Sequence, residues 1–428
     1  MTVPRRSVGG ARGPLRGVVV TELAGLGPAP YAAMLLADLG AEVIRIDRPQ
    51  RHGDSSYERD RAAADPTVYH LHRGRQSLVL DLRKADGVEI AMRLIERSDV
   101  LIEGYRPGVA ERLGLGPGAV HERNPRLVYG RMTGWGQSGP AAHTAGHDLT
   151  YLAVTGALHG LAHRDGPPVT PPPIIGDMAG GGVFLAMGIL AALTESARSG
   201  LGQVVDAAIV DGVTSLTTMV RSLAAQGRWT DVPAANFSDG GAPYYTVYRT
   251  SDDKHIAIAA LEEPFWTEFL RVLGQAGEQL PDRNDPANHP LLRQRLTELF
   301  GTRTRDEWAA LFADTDACVA PVLTLEEASA HPQLAARRSL LTTASGEQPA
   351  PAPRFDRTPA GPPSPPPVPG EDTDRILRRL GIDSETRRRL HEDETVQSPS
   401  RPAPIPPITA QAPMPKEEES SNASTRQS

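Results

Sequence analysis

Short apolar runs, several rich in β-branched residues, recur along the first half of the chain, and stretches with helical spacing separate them. Such runs are typical of strands buried on both faces of a parallel sheet. Strands that alternate with helices favour a sheet covered by helices on both sides. The predicted strands are 17–22, 41–47, 77–81, 100–103, 127–132 and 203–207, and the clearest helices between them are 31–39 and 85–98.

The pattern changes in the second half of the chain. A helix-like stretch over 208–225 leads into a polar, glycine-rich segment at 236–243, which is typical of a boundary or a loop. The following pattern predicts a smaller second domain of mixed type. Its predicted elements are hairpin strands at 244–250 and 255–260 and helices to about Phe312. A proline-rich connector at 349–369 and a helical pattern at 373–392 follow it.

Neither end of the chain has a regular apolar pattern. Residues 1–14 contain arginines without a following apolar stretch, so we predict a flexible extension and no secretory signal. From about residue 396 the sequence is rich in Pro, Ser, Glu and Gln, and we predict a disordered tail over 396–428. Because no 18 consecutive residues are apolar, we expect no membrane-spanning helix.

Charge and cysteine content narrow the function classes. The net charge of −7 and pI near 6.0 give no support for nucleic acid or an anionic membrane as a partner. A single cysteine, Cys318, excludes an internal disulfide and favours a reducing, cytoplasmic location. Because Cys318 lies in the apolar run 316–322, we expect it to be buried in the core.

Asp177 precedes three consecutive glycines, Gly180, Gly181 and Gly182, at the start of an apolar run. Glycine destabilises a helix interior by about 1 kcal/mol relative to alanine, so a cluster indicates a close approach to the backbone. One interpretation is a reactive carboxylate beside amides that hold a developing negative charge. The other is an N-capping aspartate followed by a close helix–helix contact.

The turn after the first predicted strand, 25–30, has the layout of a dinucleotide-binding motif. Asp47 ends the next strand at a suitable spacing, and the neighbouring Arg48 suits a phosphate on an adenosine ribose. The match is weak because Pro30 stands at the third glycine position and Pro28 lacks an amide hydrogen. NADP, coenzyme A or a turn without a ligand all fit this segment.

Seven segments in order resemble the family III CoA-transferase superfamily (CaiB/BaiF-like), and within it the α-methylacyl-CoA racemase branch. The resemblance covers about residues 15–351. The segments are 23–28 (LAGLGP), 40–47 (GAEVIRID), 101–108 (LIEGYRPG), 133–140 (TGWGQSGP), 145–148 (AGHD), 176–182 (GDMAGGG) and 202–206 (GQVVD).

This resemblance implies an α/β fold in which both chain ends build a large domain with a parallel, Rossmann-like sheet. It also implies a smaller inserted α+β domain and an interlocked homodimer. The expected parts are a flexible extension (1–14), a large CoA-binding domain (15–207), a linker helix (208–235), a small domain (236–330), a return segment with a C-terminal helix (331–395) and a disordered tail (396–428).

The resemblance also implies catalytic roles. The residue matching Asp177 attacks the acyl carbonyl in the transferases, whereas in the racemases it exchanges a proton with the α-carbon. His147 is the second base that distinguishes a racemase, because a two-base reaction needs one group on each face of a planar enolate. Glu262 matches a glutamate that orients this histidine, and the adjacent Glu263 is the alternative.

Coenzyme A contacts are expected mainly from arginines. Arg48 and Arg106 are the best phosphate ligands by type and position, and Arg83 and Arg112 are weaker candidates. The resemblance suggests that Leu80 and Leu82 flank the adenine. The loop containing Gly240, Gly241 and Tyr244 is either part of the acyl pocket or an ordinary interdomain loop. No metal is expected, nor any cofactor apart from the coenzyme A of the substrate.

The sequence therefore predicts an enzyme that epimerises 2-methylacyl-CoA thioesters through an enolate held by amides near the Asp177 glycines. The first alternative is a CoA-transferase that acts through an acyl anhydride and a CoA-thioester on Asp177. An NADP-dependent oxidoreductase ranks lower, as does a catalytically silent family member that serves only as a binding partner.

Overall fold

A computed structural model describes residues 12–49, 65–163 and 166–399. Its main feature is a seven-stranded sheet in the order β12-β3-β2-β1-β4-β5-β6, parallel except for β12. These strands are β1 Val19–Leu23, β2 Glu42–Asp47, β3 Arg75–Leu80, β4 Val100–Glu103, β5 Val128–Thr133, β6 Val204–Ala208 and β12 Val396–Gln397. The six strands predicted in the first half of the chain are confirmed.

Helices connect and cover these strands. They are α1 Pro28–Asp38, α2 Ala85–Ile95, α3 Val109–Arg112, α4 Pro117–Arg123, α5 Asp148–Thr155, α6 Phe184–Ser199, α7 Ile209–Leu216, α8 Thr218–Ala225, α15 Thr373–Arg379 and α16 Ser384–Glu392. A π-helix at Ile174–Val183, here called the glycine-rich helix, runs directly into α6. Short 3₁₀ helices lie at Pro66–Val68, His70–His72 and Pro286–Asn288. The predicted helix over 208–225 is divided at Thr217 into α7 and α8.

The direction of strand succession reverses between β1 and β4. In open α/β sheets the ligand crevice lies at such a reversal, outside the carboxyl ends of the strands. The segments that leave those ends are the turn after Leu23 and the turn after Glu103. Both belong to the sequence segments that carry the family resemblance, so the topology predicts the site at this edge of the sheet.

The chain's C-terminal part completes the sheet. Ile376, Leu377 and Leu390 of α15 and α16 share a core cluster with residues of α2 on one face. Val396 is 1% exposed and pairs with Leu80 of β3. The prediction of disorder is therefore wrong for residues 396 and 397, because an edge strand with open hydrogen-bonding groups recruited them. Residues 400–428 lie outside the described part of the chain, as do residues 1–11 of the predicted extension.

A separate aromatic core lies in the second half of the chain. It gathers Trp266, Phe269, Phe300, Trp308 and Phe312 around an antiparallel sheet. The strands are β7 Tyr245–Arg249, β8 His255–Ala259 and β9 Val319–Pro321, and the helices are α9 Glu263–Leu273, α10 Gln275–Glu278, α11 His289–Phe300 and α12 Arg305–Leu311. Beyond it lie α13 Leu325–Ser329, α14 Pro332–Arg337 and the hairpin β10 Leu340–Thr343 and β11 Gly346–Pro349.

Cys318 does not lie in this core. Its side chain is exposed, and its backbone φ is +53°. The left-handed residue precedes β9 and interrupts the side-chain alternation, so the neighbouring Ala317 takes the buried position instead. The expectation of a core cysteine is wrong for this reason.

The continuous helix over 174–199 is long and apolar enough, by length and composition, to cross a membrane. The prediction of no membrane-spanning helix rested on uninterrupted apolar runs, and Asp177 interrupts this one. Its inner face packs like that of a core helix, since Leu185 and Ile189 contact Gly130 of β5. The packing identifies it as the helix that covers this face of the sheet.

Candidate active site

Asp177 lies on the glycine-rich helix, above the carboxyl end of β1. The Asp177 N–H donates a 2.6 Å hydrogen bond to Oδ1 of Asp148, a buried residue at the start of α5. A methyl group on Gly27, in the turn after β1, would lie 3.1 Å from Asp177 Oδ2. The segments Gly25-Leu26-Gly27 and Gly146-His147-Asp148 therefore meet at Asp177, the first beside its carboxylate and the second at its backbone N–H.

The surroundings of Asp177 change its acidity. Partial burial raises the pKa of Asp177 to about 6, the neighbouring Asp148 carboxylate adds to the rise, and His147 opposes it. A carboxyl group with a pKa near neutrality can both accept and return a proton at physiological pH. This property is required of an acid–base catalyst and is unusual for a structural N-cap.

His147 is exposed and forms the N-cap of α5. Its backbone is fixed by Thr150, whose Oγ1 accepts a hydrogen bond from the His147 N–H at 3.0 Å and donates one to the His147 carbonyl at 2.7 Å. The effect of the imidazole on the pKa of Asp177 places the two side chains within electrostatic reach. The structure therefore brings together the two residues proposed as bases from the sequence.

The three glycines have a packing role. Gly180, Gly181 and Gly182 are buried, and added methyl groups would collide with Val213, Pro28 and Tyr31, at 2.6–2.8 Å. α1 and α7 thus approach the glycine-rich helix closely enough to exclude any larger side chain. Neighbouring helices cover this part of the backbone, and the expectation that amides near these glycines hold an enolate stays a prediction.

The turn after β1 has a structural role that does not involve a nucleotide, because it lies against Asp177. Gly27 has φ +62°, which favours glycine, and its α-carbon lies against the Asp177 carboxylate. Pro28 begins α1 and has no amide hydrogen to offer a phosphate. The dinucleotide-like spacing is explained by the close approach of Asp177.

Tyr151 is a site residue that the sequence analysis missed. It lies one helical turn after His147 on α5 and is buried under Gly134 and Gly146, where a methyl group would overlap its ring. Burial and then the charge of Asp177 raise the pKa of the Tyr151 phenol, and Arg106 opposes them. The spacing of four residues from His147 was the available signal, since such pairs share a helix face.

Glu262 is exposed at the N-cap of α9, beside Cys318. Glu263 forms a 2.8 Å salt bridge with Arg283, so it is already engaged. Among the described residues, no hydrogen bond or ion pair joins Glu262 to His147. The orienting role of Glu262 therefore stays a prediction. Of the two neighbouring carboxylates, Glu262 is favoured for this role because Glu263 is already paired with Arg283.

The two preferred phosphate ligands lie at the expected edge of the sheet. Arg48 follows β2 and Arg106 follows β4, and both are exposed. Burial raises the pKa of Tyr105 to about 12, helped by Glu103 and Asp47 and opposed by Arg48, which places Arg48 close to the turn that carries Arg106. The two cations therefore lie on neighbouring turns at the carboxyl edge of the sheet.

The weaker coenzyme A candidates are less well placed. Arg112 is exposed on α3 close to Gly108, whereas Arg83 is bonded to Asp81 at 3.2 Å. Leu82 is half-buried at the margin of the core. Leu80 is 1% exposed and packs in the core cluster that α15 and α16 complete, so its side chain is out of reach of a ligand. The predicted contact between the Leu80 side chain and adenine is wrong for that reason.

The glycine-rich loop near residue 240 is held in place by its own contacts. The Asp239 carboxylate accepts hydrogen bonds from the Gly241 N–H and from Asn236, and Arg293 donates to the Gly240 and Gly241 carbonyls. Tyr244, at the end of the loop, packs in the aromatic core. The structure describes an ordered loop, and a contribution to the acyl pocket stays a prediction.

Across the described ranges, no group of three or more His, Cys, Asp and Glu side chains is placed to hold a metal ion. An imidazole near a carboxyl group of raised pKa, at the switch point of an α/β sheet, is typical of enzymes with proton- or acyl-transfer chemistry.

Comparisons with known proteins give the family. The model of CoA-transferase family III matches residues 15–373. The α-methylacyl-CoA racemase of Mus musculus is 41% identical over 388 residues, which are 90% of this chain and 98% of that protein. The Homo sapiens racemase of the same name is 40% identical over 386 residues, with the same shares. The chain therefore belongs to CoA-transferase family III.

The fold agrees with this assignment. A crystal structure of a CaiB/BaiF family protein from Brucella suis superposes with a TM-score of 0.74. It is 24% identical and covers 86% of this chain and 100% of its own. The predicted α/β fold is confirmed, and its parallel sheet is confirmed apart from the antiparallel edge strand β12.

Proposed function

We propose that the protein is a racemase that interconverts the (2R) and (2S) forms of 2-methylacyl-CoA thioesters. The observation that carries this proposal is the pairing of His147 with Asp177, whose pKa is raised to about 6. The mouse and human relatives, at 41% and 40% identity over almost their whole length, are named α-methylacyl-CoA racemases.

In the proposed mechanism the substrate α-carbon lies between the two bases. One base removes the α-proton, the electron pair moves into the thioester carbonyl to form an enolate, and the other base returns a proton to the opposite face. For the reverse reaction the bases exchange roles. Asp148 is a positioning residue, because its carboxylate accepts the Asp177 N–H and adds to the rise in the pKa of Asp177.

We assign stabilisation of the enolate oxygen to the N-terminus of α5. The first N–H groups of a helix have no partner within that helix, and the helix dipole favours negative charge there. His147 is the N-cap of α5, so this helix end lies directly beside a base. This proposal replaces the buried glycine amides with donors next to the reaction centre.

We propose that Arg48 and Arg106 bind the phosphates of coenzyme A, with Arg112 and Arg83 as weaker contributors. Arg48 and Arg106 are exposed and lie just after the carboxyl ends of β2 and β4. The mechanism needs no cofactor, because proton transfer leaves the oxidation state of the substrate unchanged. The single cysteine continues to support a cytoplasmic location.

We also propose a homodimer, with the large and small domains arranged as the family resemblance implies. Helix α8 has no buried residues, although it contains apolar side chains. Five apolar side chains, one each from α5, the glycine-rich helix, α6, α7 and α8, are at least half exposed, namely Val154, Ile174, Met187, Leu216 and Met219. A surface of this kind supports an interface with a second copy, which would also bring a second Glu262 to the assembly.

Solvent exchange tests the proposed reaction. Each enantiomer of a 2-methylacyl-CoA is incubated with the protein in deuterated water, and configuration and α-deuterium content are followed by chiral analysis and mass spectrometry. We expect both enantiomers to approach the same mixture while taking up deuterium. An absence of exchange with short-, medium- and long-chain thioesters would contradict the proposal.

A CoA-transferase is the second candidate, since the family description and the accessible Asp177 carboxylate support it. In that reaction Asp177 attacks the thioester carbonyl, thiolate leaves, and an anhydride forms. Hydroxylamine would then convert Asp177 into a hydroxamate, and CoA would appear on a free carboxylic acid. We expect neither result, because a transferase needs no second base at the α-carbon.

A further inference from the structure

The turn that carries Glu262 is held by one buried cation. The Arg283 side chain is 5% exposed and reaches both sides of the turn. Its Nη1 donates to the Ala260 carbonyl oxygen at 2.5 Å, and its Nη2 donates to the Glu263 carboxylate at 2.8 Å. Glu262 lies between these two contacts in the chain, so its backbone position depends on Arg283.

Aromatic rings hold the guanidinium itself. The Arg283 Cζ lies 4.9 Å from the ring centroid of Tyr244 and 5.2 Å from that of Trp266. The His289 ring nitrogen lies 2.9 Å from the Arg283 carbonyl oxygen. Cation–π contacts with a desolvated guanidinium stabilise its position, and the planar group leaves little freedom for the bonds it donates.

The same cluster reaches the glycine-rich loop. Tyr244 ends that loop, and its carbonyl oxygen accepts the Ala260 N–H at 3.1 Å. Both backbone groups of Ala260 are therefore bonded, the N–H to Tyr244 and the carbonyl to Arg283. The loop and the Glu262 turn are joined through one residue.

We propose that Arg283 is a positioning residue that sets the place of the Glu262 carboxylate and couples it to the loop ending at Tyr244. This proposal deepens the racemase assignment, on which the role of Glu262 rests. Arg283 touches no reacting atom in this account. It acts through the peptide segment that carries Glu262.

Cys318 supplies a readout that does not depend on enzymatic activity. It is the single cysteine of the chain and is exposed. Burial, followed by the charges of Glu262 and Asp316, raises the pKa of its thiol. Because Glu262 contributes to this rise, a displaced Glu262 lowers the pKa of Cys318 and makes alkylation faster at a pH of about 8.

The test measures the rate of iodoacetamide alkylation of the full chain against pH. We expect Glu262→Gln to lower the pKa of Cys318 and Arg283→Met to lower it as well. The double variant should match Glu262→Gln alone, because both changes remove the same charge from the thiol. Arg283→Lys, which retains a cation and one donor group, should restore part of the shift.

Arg305→Met is the matched control. Arg305 is also 5% exposed, forms a salt bridge with Glu327 and donates to the Val322 carbonyl. It lies at the opposite end of the β8–β9 pair from Cys318, because Val322 bonds to His255 whereas Cys318 bonds to Ala259. We expect Arg305→Met to leave the pKa of Cys318 unchanged, even where it lowers stability as much as Arg283→Met.

Kinetics provide the second readout. Arg283→Met should lower kcat for epimerisation roughly 10-fold with little change in KM, and the loss should not add to that of Glu262→Gln. If the protein does not epimerise thioesters, the proposed function fails while the alkylation result still decides the role of Arg283. An unchanged pKa of Cys318 in either Glu262→Gln or Arg283→Met would overturn this inference.

Discussion

Asp177 lies on a helix whose glycines are packed against two neighbouring helices, whereas Glu262 stands exposed at the start of α9 and is held from behind by Arg283. The first carboxyl group has a raised pKa because the single chain partly buries it and brings Asp148 close. The second lies beside Cys318, with no described contact to His147. One chain therefore brings together His147 and Asp177, the proposed acid–base pair. The proposed orienting group, Glu262, belongs to the aromatic core region and has no described contact with that pair.

This difference assigns different consequences to mutation in the two regions. A mutation at Asp177 or at the neighbouring glycines acts on a carboxyl group that the single chain already positions. A change at Glu262 acts on a group whose contribution depends on the assembly. The following variants are ordered from the largest expected effect to the smallest.

The largest effect is expected at Asp177 itself. Asp177→Asn keeps the shape of the side chain and removes the base, so kcat/KM for epimerisation should fall about 10³-fold, within the usual contribution of a general base. The measurement is racemisation of a single enantiomer, followed by chiral analysis. Circular dichroism provides the control that the fold is intact, and retention of wild-type activity would contradict the assignment.

The packing of the helix that carries Asp177 can be disrupted by a substitution that leaves the Asp177 side chain unchanged. In Gly212→Ala, the new methyl group would lie 1.8 Å from the Gly180 carbonyl oxygen. Because α7 and the glycine-rich helix would have to separate, we expect the free energy of unfolding to fall by about 3 kcal/mol in urea titrations. Gly118→Ala is the matched control, since nothing lies within 4 Å of its added carbon, and it should be neutral or slightly stabilising.

At the second region, Glu262 and Glu263 form a natural comparison. Glu262→Gln should lower kcat for epimerisation about 10-fold, less than loss of a base, because it removes only support for the charged imidazole. Glu263→Gln should change kcat by less than about 3-fold, since Arg283 keeps its other contacts. A larger loss in Glu263→Gln than in Glu262→Gln would reverse the assignment of the two residues.

The smallest effect is on stability as a function of pH. The pKa of Asp177 rises from 3.8 to about 6 on folding, so folding disfavours its ionised form. This cost is absent below about pH 4 and complete above about pH 6. Asp177→Asn should therefore be more stable than wild type at pH 7.5 by about 1 kcal/mol, a value reduced for solvent screening, and the difference should vanish near pH 4. Urea titrations at both pH values measure it.

Much of the fold was predictable because buried parallel strands leave a strong local pattern. The six strands of the first half, the hairpin of β7 and β8 and the α/β class all follow from apolar runs and turn residues. Strand β12 was not predictable, since two residues carry no period and the pairing depends on an edge formed by residues 75–80. The exposure of Cys318 was missed because a single left-handed residue leaves no pattern in composition.

The site was predictable to a similar degree. Resemblance and motif context gave His147 and Asp177, but the residues around them needed the structure. Tyr151 was not singled out in the sequence, and the burial of Leu80 is visible only in the packed core that the C-terminal helices complete. The glycines were correctly associated with a close approach to the backbone, yet only the packed helices show what approaches.

The central claim is that His147 and Asp177 serve opposite faces of one enolate. The most direct measurement is α-hydrogen exchange of each enantiomer in deuterated water with His147→Ala and Asp177→Asn. The account predicts that each variant fails to epimerise yet exchanges one enantiomer, and that the two variants retain opposite enantiomers. Loss of exchange for the same enantiomer in both variants, or exchange of both enantiomers by either one, would contradict it.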